Sequence, residues 1–201
     1  MPLSMRLRNV PKPAFAGLLI AAGVIGRILF AGAANVEPVL ILSMLAGVLL
    51  GGLYVIVVPV AILGISDVFF YTVVYGSTYS PVSILGLGLF MYTGYVFVAA
   101  VGGFAIRRRV LWRTKTIAIF TAISVPLTVA YDAWTAFGDW LFITSRVGWT
   151  LPQVYAAQVP FTAIHVFSSL LFAPILGVTF LAIHLYGLPV VGPAEAPAES
   201  Q

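Results

Sequence analysis

The chain has 201 residues, 61% of them hydrophobic and 8% charged, with a mean hydropathy of +1.09 and a formal charge of +4. So little polar surface cannot cover a water-soluble core, and the composition specifies an integral membrane protein. With no cysteine, a disulfide framework, a thiolate metal site and a cysteine nucleophile are excluded, and the basic pI of 9.6 has no soluble domain in which to serve a nucleic acid.

In chain order, residues 1–13 read as a cytoplasmic segment carrying Arg6, Arg8 and Lys12. Residues 14–186 read as an all-α membrane domain of six transmembrane helices with short loops. The unit is an apolar run of about 20 residues, since a helix rises about 1.5 Å per residue across about 30 Å of hydrocarbon. The first helix is expected over residues 14–30. Residues 39–75 contain no basic residue and exceed one span, so they divide at Gly51-Gly52, where helix propensity is lowest. A short second helix and a third that crosses Pro59 result. A turn over residues 76–81 leads to the fourth helix, over 82–106. The fifth is expected over 116–141 and the sixth over 160–186. Residues 187–201, rich in Pro, Ala and Glu, read as a disordered cytoplasmic tail.

Short loops rich in Lys and Arg stay in the cytoplasm. Arg107, Arg108, Arg109, Arg113 and Lys115 share one loop, and six spans put it on the side of the N-terminal segment, with eight of the ten basic residues. Trp134, Trp140 and Trp149 then fall near the outer boundary. The basic start, the first apolar run and Ala31-Gly32-Ala33-Ala34 also have the pattern of a secretory signal, whose removal would leave five spans.

Polar residues inside the spans lie at one depth. Counting about 1.5 Å per residue puts Asp67 about 18 Å and Asp132 about 24 Å above the inner boundary, and His165 about 8 Å below the outer one. Arg27 ends the first helix at this level, close to Asn35 and Glu37. Asp132, Thr135 and Asp139, with Thr128 nearby, form one stripe of the fifth helix; Thr162, His165, Ser168 and Ser169 form one on the sixth. Carboxylates facing lipid cost about 2.5–3.5 kcal/mol, so both stripes are expected to face a water-accessible chamber. Against this stand plainer readings. Arg27 and Asp67 also suit a pair that locks two helices. Asp139 reads as interfacial and solvated, His165 alone as a packing residue, and His184 as structural. Tyr71, Tyr92 and Tyr95 are ordinary span residues unless they converge.

The order Arg27, Asn35-Val36-Glu37-Pro38, a glycine-rich apolar run and Pro59 to Asp67 resembles the substrate-binding S components of energy-coupling factor (ECF) transporters. Tyr131-Asp132-Ala133-Trp134-Thr135-Ala136-Phe137-Gly138 and Val159-Pro160-Phe161-Thr162-Ala163-Ile164-His165 are similar to their later helices. The resemblance implies capture of a scarce small nutrient, a vitamin or precursor, from outside. Arg27, Asn35, Glu37, Asp67, Tyr71, Asp132, Thr135 and His165 would form the binding site. It further implies a membrane coupling subunit and two cytoplasmic ATPases as partners, docked through small residues of the first helix. Here the nearest match is Gly17-x-x-x-Ala21, followed by Ala22-x-x-x-Gly26, in place of an alanine pair.

S components for nickel or cobalt resemble one another in a histidine after the first methionine, and none follows Met1 here, so the resemblance disfavours a divalent-metal carrier; neither metal nor cofactor is expected. The charges near the site weigh Arg27 against Glu37, Asp67, Asp132 and Asp139, which suits a neutral or cationic solute. Two other classes compete. A membrane enzyme would use the aspartates and His165 for acid–base chemistry, but the chain lacks H-E-x-x-H, a nucleophile elbow and a P-loop. A self-contained proton-coupled carrier would be expected to show an internal repeat, and none is evident.

Overall fold

Glycine decides where the second and third helices part. Gly51 and Gly52 take φ of +61° and +56°, a left-handed region that is cheap only without a Cβ. The chain reverses there. The structure, a computed structural model, describes residues 3–8, 10–36, 38–75, 80–107 and 114–193.

Within these residues a strand β1 (Leu3–Arg8) leads to α1 (Lys12–Leu29). Next comes α2 (Val39–Leu45), continued by a π-helical turn over Ala46–Leu50. Helix α3 (Tyr54–Phe69) likewise ends in a π-helical segment, Phe70–Tyr75. Then follow α4 (Pro81–Ile106), α5 (Thr114–Phe142), a 3-10 turn (Thr144–Val147), α6 (Leu151–Tyr186) and a second strand β2 (Leu188–Pro193).

Local chemistry sets the helix starts. Pro81 follows Ser80, whose hydroxyl accepts the Ser83 N–H at 3.2 Å. Helix α6 opens on a capping box, with Gln153 Oε1 accepting the Thr150 N–H at 2.8 Å. It therefore starts nine residues before Pro160, where the apolar run alone placed it. Pro160 and Pro174 sit inside this 36-residue helix.

The chain is a multi-pass membrane bundle. Among the described residues five helices, α1, α3 with its π-helical end, and α4 to α6, are long and apolar enough to cross a membrane. They form a ring: α1 packs on α3, α3 on α4, α4 on α5 and α5 on α6. Phe15 against Phe180 and Phe30 against Phe172, with ring centroids 5.9 and 5.5 Å apart, close it from α1 to α6. Large side chains left exposed, such as Leu29, Val68, Leu85, Phe104 and Phe167, are apolar, as lipid contact requires.

Helix α2 fills the axis of the ring. Every one of its residues is buried and it touches all five other helices. With seven α-helical residues and a five-residue π turn, it advances at most roughly 18 Å, well short of a bilayer's hydrocarbon. Pro38 at its start packs on Gly26, and Gly51 at its end lies against the Arg107 guanidinium. Gly47 lets it approach α4 closely, because a Cβ there would overlap the Ala99 carbonyl. Between the level of Gly26 and the far end of the ring, the axis is left without a helix.

Strands β1 and β2 pair antiparallel, Leu3 opposite Pro193 and Arg8 opposite Leu188. Residues 188–193 thus depart from the disordered tail expected from residue 187. Val190 and Val191 favour extended backbone, a local signal hidden by the Pro, Ala and Glu that follow. Residues 194–201 lie outside the described residues.

Candidate functional site

The polar stripes of α5 and α6 face each other. These helices run antiparallel, so residues one turn apart on each can meet as successive rungs. Thr128 and Ser169 share a hydrogen bond of 2.7 Å between hydroxyls, and Thr128 also donates to the Ser124 carbonyl. One turn further, His165 Nδ1 lies 2.7 Å from Asp132 Oδ1. The carboxylate accepts, so Nδ1 carries the proton and, in the neutral ring, Nε2 is a bare acceptor. The two side chains belong to residues 3% and 2% exposed, and Asp132 Oδ2 and His165 Nε2 are buried without a hydrogen-bond partner. Tyr131 stands edge-on to the imidazole, at 5.7 Å between centroids, and stacks on the buried Tyr95.

A second polar cluster joins α1, α3 and α4. Arg27 Nη1 donates to Asp67 Oδ1 at 2.5 Å and to Ser66 Oγ at 2.6 Å, and its guanidinium lies 4.6 Å from the centre of the Phe70 ring. The other Asp67 oxygen accepts from Tyr92 Oη at 3.0 Å. Ser66 in turn donates to the Ile62 carbonyl. Arg27 and Asp67 are 6% and 5% exposed, so most of the water they lose is replaced by hydrogen bonds and a cation–π contact.

Both clusters open on the helix-free end of the axis. A cavity of about 400 Å³ lies there, walled by every helix of the ring: Arg27, Phe70, Leu87 and Met91, Asp132 and Thr135, and Gln158, Phe161 and His165. The loop after α1, including Phe30, Ala33, Ala34 and Asn35, also lines it. Asn35 holds φ at +60°, a turn conformation that asparagine tolerates better than most side chains. A smaller chamber of about 180 Å³ adjoins it, bordered by Asp67, Tyr71 and Ser83. Arg27, Leu87, Met91 and Asp139 line both.

The profile of a family of unknown function, DUF6580, matches residues 8–189. The chain belongs to the DUF6580 family. No curated protein matches it, and no solved structure does. The DUF6580 match takes in the whole ring, the axial helix and every residue of both chambers.

Of the residues singled out in this DUF6580 sequence, Arg27, Asn35, Asp132, Thr135 and His165 line the larger chamber, and Asp67 and Tyr71 the smaller. Glu37 lies outside the described residues. Asp132 was expected to face water; it borders the cavity, but its carboxylate is engaged by His165. Asp139, read from sequence as merely interfacial, faces both chambers. Tyr92 is more than a span residue, because it holds Asp67.

Small residues of α1 divide between two surfaces. Gly17 and Ala21 are exposed, Ala22 is half-buried, and Gly26 is buried against Pro38. Gly26 thus belongs to the inner packing of α1 on α2, which removes it from any docking face.

Gln158 falls outside a sixth helix that begins at Pro160, and the sequence Thr150-Leu151-Pro152-Gln153 carries the capping-box and early-proline signal that brings it in. Phe161 lies inside the expected span but is apolar like its lipid-facing neighbours. Phe30, Phe70, Leu87 and Met91 carry no polar mark, and nothing in their spacing sets them apart from lipid-facing neighbours.

Proposed function

We propose that this protein captures a small organic nutrient, neutral or cationic, as the substrate-binding subunit of an ECF-type importer. In this reading the cavity opens outside the cell membrane and both termini are cytoplasmic, on the side of Arg107 and Lys115. A membrane coupling subunit and two cytoplasmic ATPases supply the drive. The observation that carries the reading is the cavity above α2. It has the volume of a small-molecule site, a lining divided about evenly between apolar walls and polar groups, and a packed helix beneath it. Such a body suits holding a solute, and no P-loop accompanies it to power movement. The exposed Gly17 and Ala21 leave α1 open to close approach by a partner helix.

Native mass spectrometry of protein purified from membranes is expected to show a bound small molecule. Ala136, buried on the cavity wall, offers a control: Ala136→Trp is expected to lose the molecule. Gly17→Leu or Ala21→Leu is expected to keep it and to abolish cellular uptake. Loss of the bound molecule in the α1 variants, or uptake that persists without any ATPase partner, counts against the assignment.

The Asp132–His165 pair favours one second reading, acid–base chemistry on a solute held in the cavity. Conversion of the bound molecule to a product of different mass, lost in His165→Gln, would support it.

A further inference from the structure

We infer that the solute is an organic cation built from an aromatic ring bearing an N–H donor and a short arm ending in a positively charged nitrogen. The ring would sit by Asp132 and His165 and the charge by Asp139. The inference rests on the capture reading and narrows its ligand.

Two observations carry it. The first is the pair of orphaned atoms. Asp132 Oδ2 and His165 Nε2 are buried, have no hydrogen-bond partner and belong to residues of the larger chamber. With Nδ1–H committed to Asp132 Oδ1, both are acceptors when the ring is neutral, and a buried acceptor without a donor is destabilising. A solute that donates N–H removes that cost, whereas one offering only acceptors cannot. The surrounding Phe30, Tyr131 and Phe161 supply flat apolar walls suited to a ring.

The second is the distribution of charge. Arg27 is engaged by Asp67, and Asp132 by His165. Among the described residues no ion pair engages Asp139, which lines both chambers where they meet. Arg27 lines the same junction, but its charge is balanced by Asp67, so the charge left over there is that of the half-buried Asp139, which favours a cation and disfavours an anion.

A matched series of probes tests this on the purified full-length protein. Tryptamine, tryptophol and indole-3-propionate share a ring and arm and end in a cation, a neutral hydroxyl and an anion. 1-Methyltryptamine keeps the cation and loses the ring N–H. Titration calorimetry is expected to rank tryptamine ahead of tryptophol by about tenfold, the effect of about 1.4 kcal/mol, with indole-3-propionate weakest. 1-Methyltryptamine is expected to bind about tenfold more weakly than tryptamine, as when a site's buried polar groups lose their donor. Asp139→Asn is expected to erase the gap between tryptamine and tryptophol. The wild-type ranking stands without that variant should it fail to fold.

An equal or reversed order, no penalty for the N-methyl probe, or no binding by any of the four overturns the inference. Failure here is separable from failure of the capture reading. A co-purified anion lost in Ala136→Trp would refute the ligand class and keep capture, whereas absence of any bound solute, together with unimpaired uptake in Gly17→Leu, would refute capture itself.

Discussion

Arg27 shows how a charge is made tolerable inside a membrane protein. Its guanidinium has a carboxylate, a hydroxyl and an aromatic face as partners. Removing only one member leaves the other buried and uncompensated, at a cost of about 3–5 kcal/mol. Arg27→Leu and Asp67→Leu are therefore each expected to lower the thermal midpoint in detergent strongly. The double variant should recover much of the loss, and strict additivity of the two effects would contradict the pairing. The levels of Arg27, Asp67, Asp132 and His165 were legible from helical rise alone, because a charged residue in an apolar run must find a partner or water. Which partner each finds was not: Tyr92 to Asp67 depends on the rotation of α4 about its axis, and α4 carries almost no polar pattern from which to read a rotation.

Helix α2 is the element on which the cavity depends, since it occupies the axis and stops short. Its seat against α4 requires a bare backbone at Gly47. Gly47→Ala is expected to destabilise by about 3 kcal/mol, at the upper end of overpacking costs, since the obstructing atom is the Ala99 carbonyl and cannot swing away. Gly17→Ala serves as the contrast, because a Cβ there meets nothing within 4 Å. It should be neutral, or stabilise α1 by up to about 1 kcal/mol through helix propensity. Equal thermal shifts in the two variants would show that α2 and α4 are not in close contact. The break at Gly51-Gly52 and the brevity of α2 were readable from sequence. Its central position was not, because a helix apolar on all sides has no face to orient it. The start of α6 is hidden for another reason: hydropathy marks Pro160 as a boundary, while the boundary is written in polar caps ten residues earlier.

At the scale of the whole molecule, the two ends of the ring differ in what they offer. One carries the loop around Ala33 and Asn35 over the cavity; the other carries Arg107 and Lys115. The chain has no cysteine, so single cysteines report on each end without background. Ala33→Cys and Lys115→Cys, both at exposed positions, can be treated with a membrane-impermeant maleimide on intact cells. In the proposed orientation Ala33→Cys is labelled at once, and Lys115→Cys only after permeabilisation. The opposite order would invert the protein in the membrane and deny the cavity its access to external solutes.

The β1–β2 ribbon, set beside the ring closure by Phe15 and Phe180, has a consequence for engineering. Residues 3 and 193 face each other across paired backbones, so a short peptide could splice them and convert the protein into a closed circle. The helices are ordered around the axis by contacts already made between neighbours. A circular permutant opened elsewhere, within the exposed turn near Gly148, would keep all of those contacts. It would remove only the covalent link between α5 and α6 at the cavity mouth while tying the α1 and α6 ends together by a peptide bond.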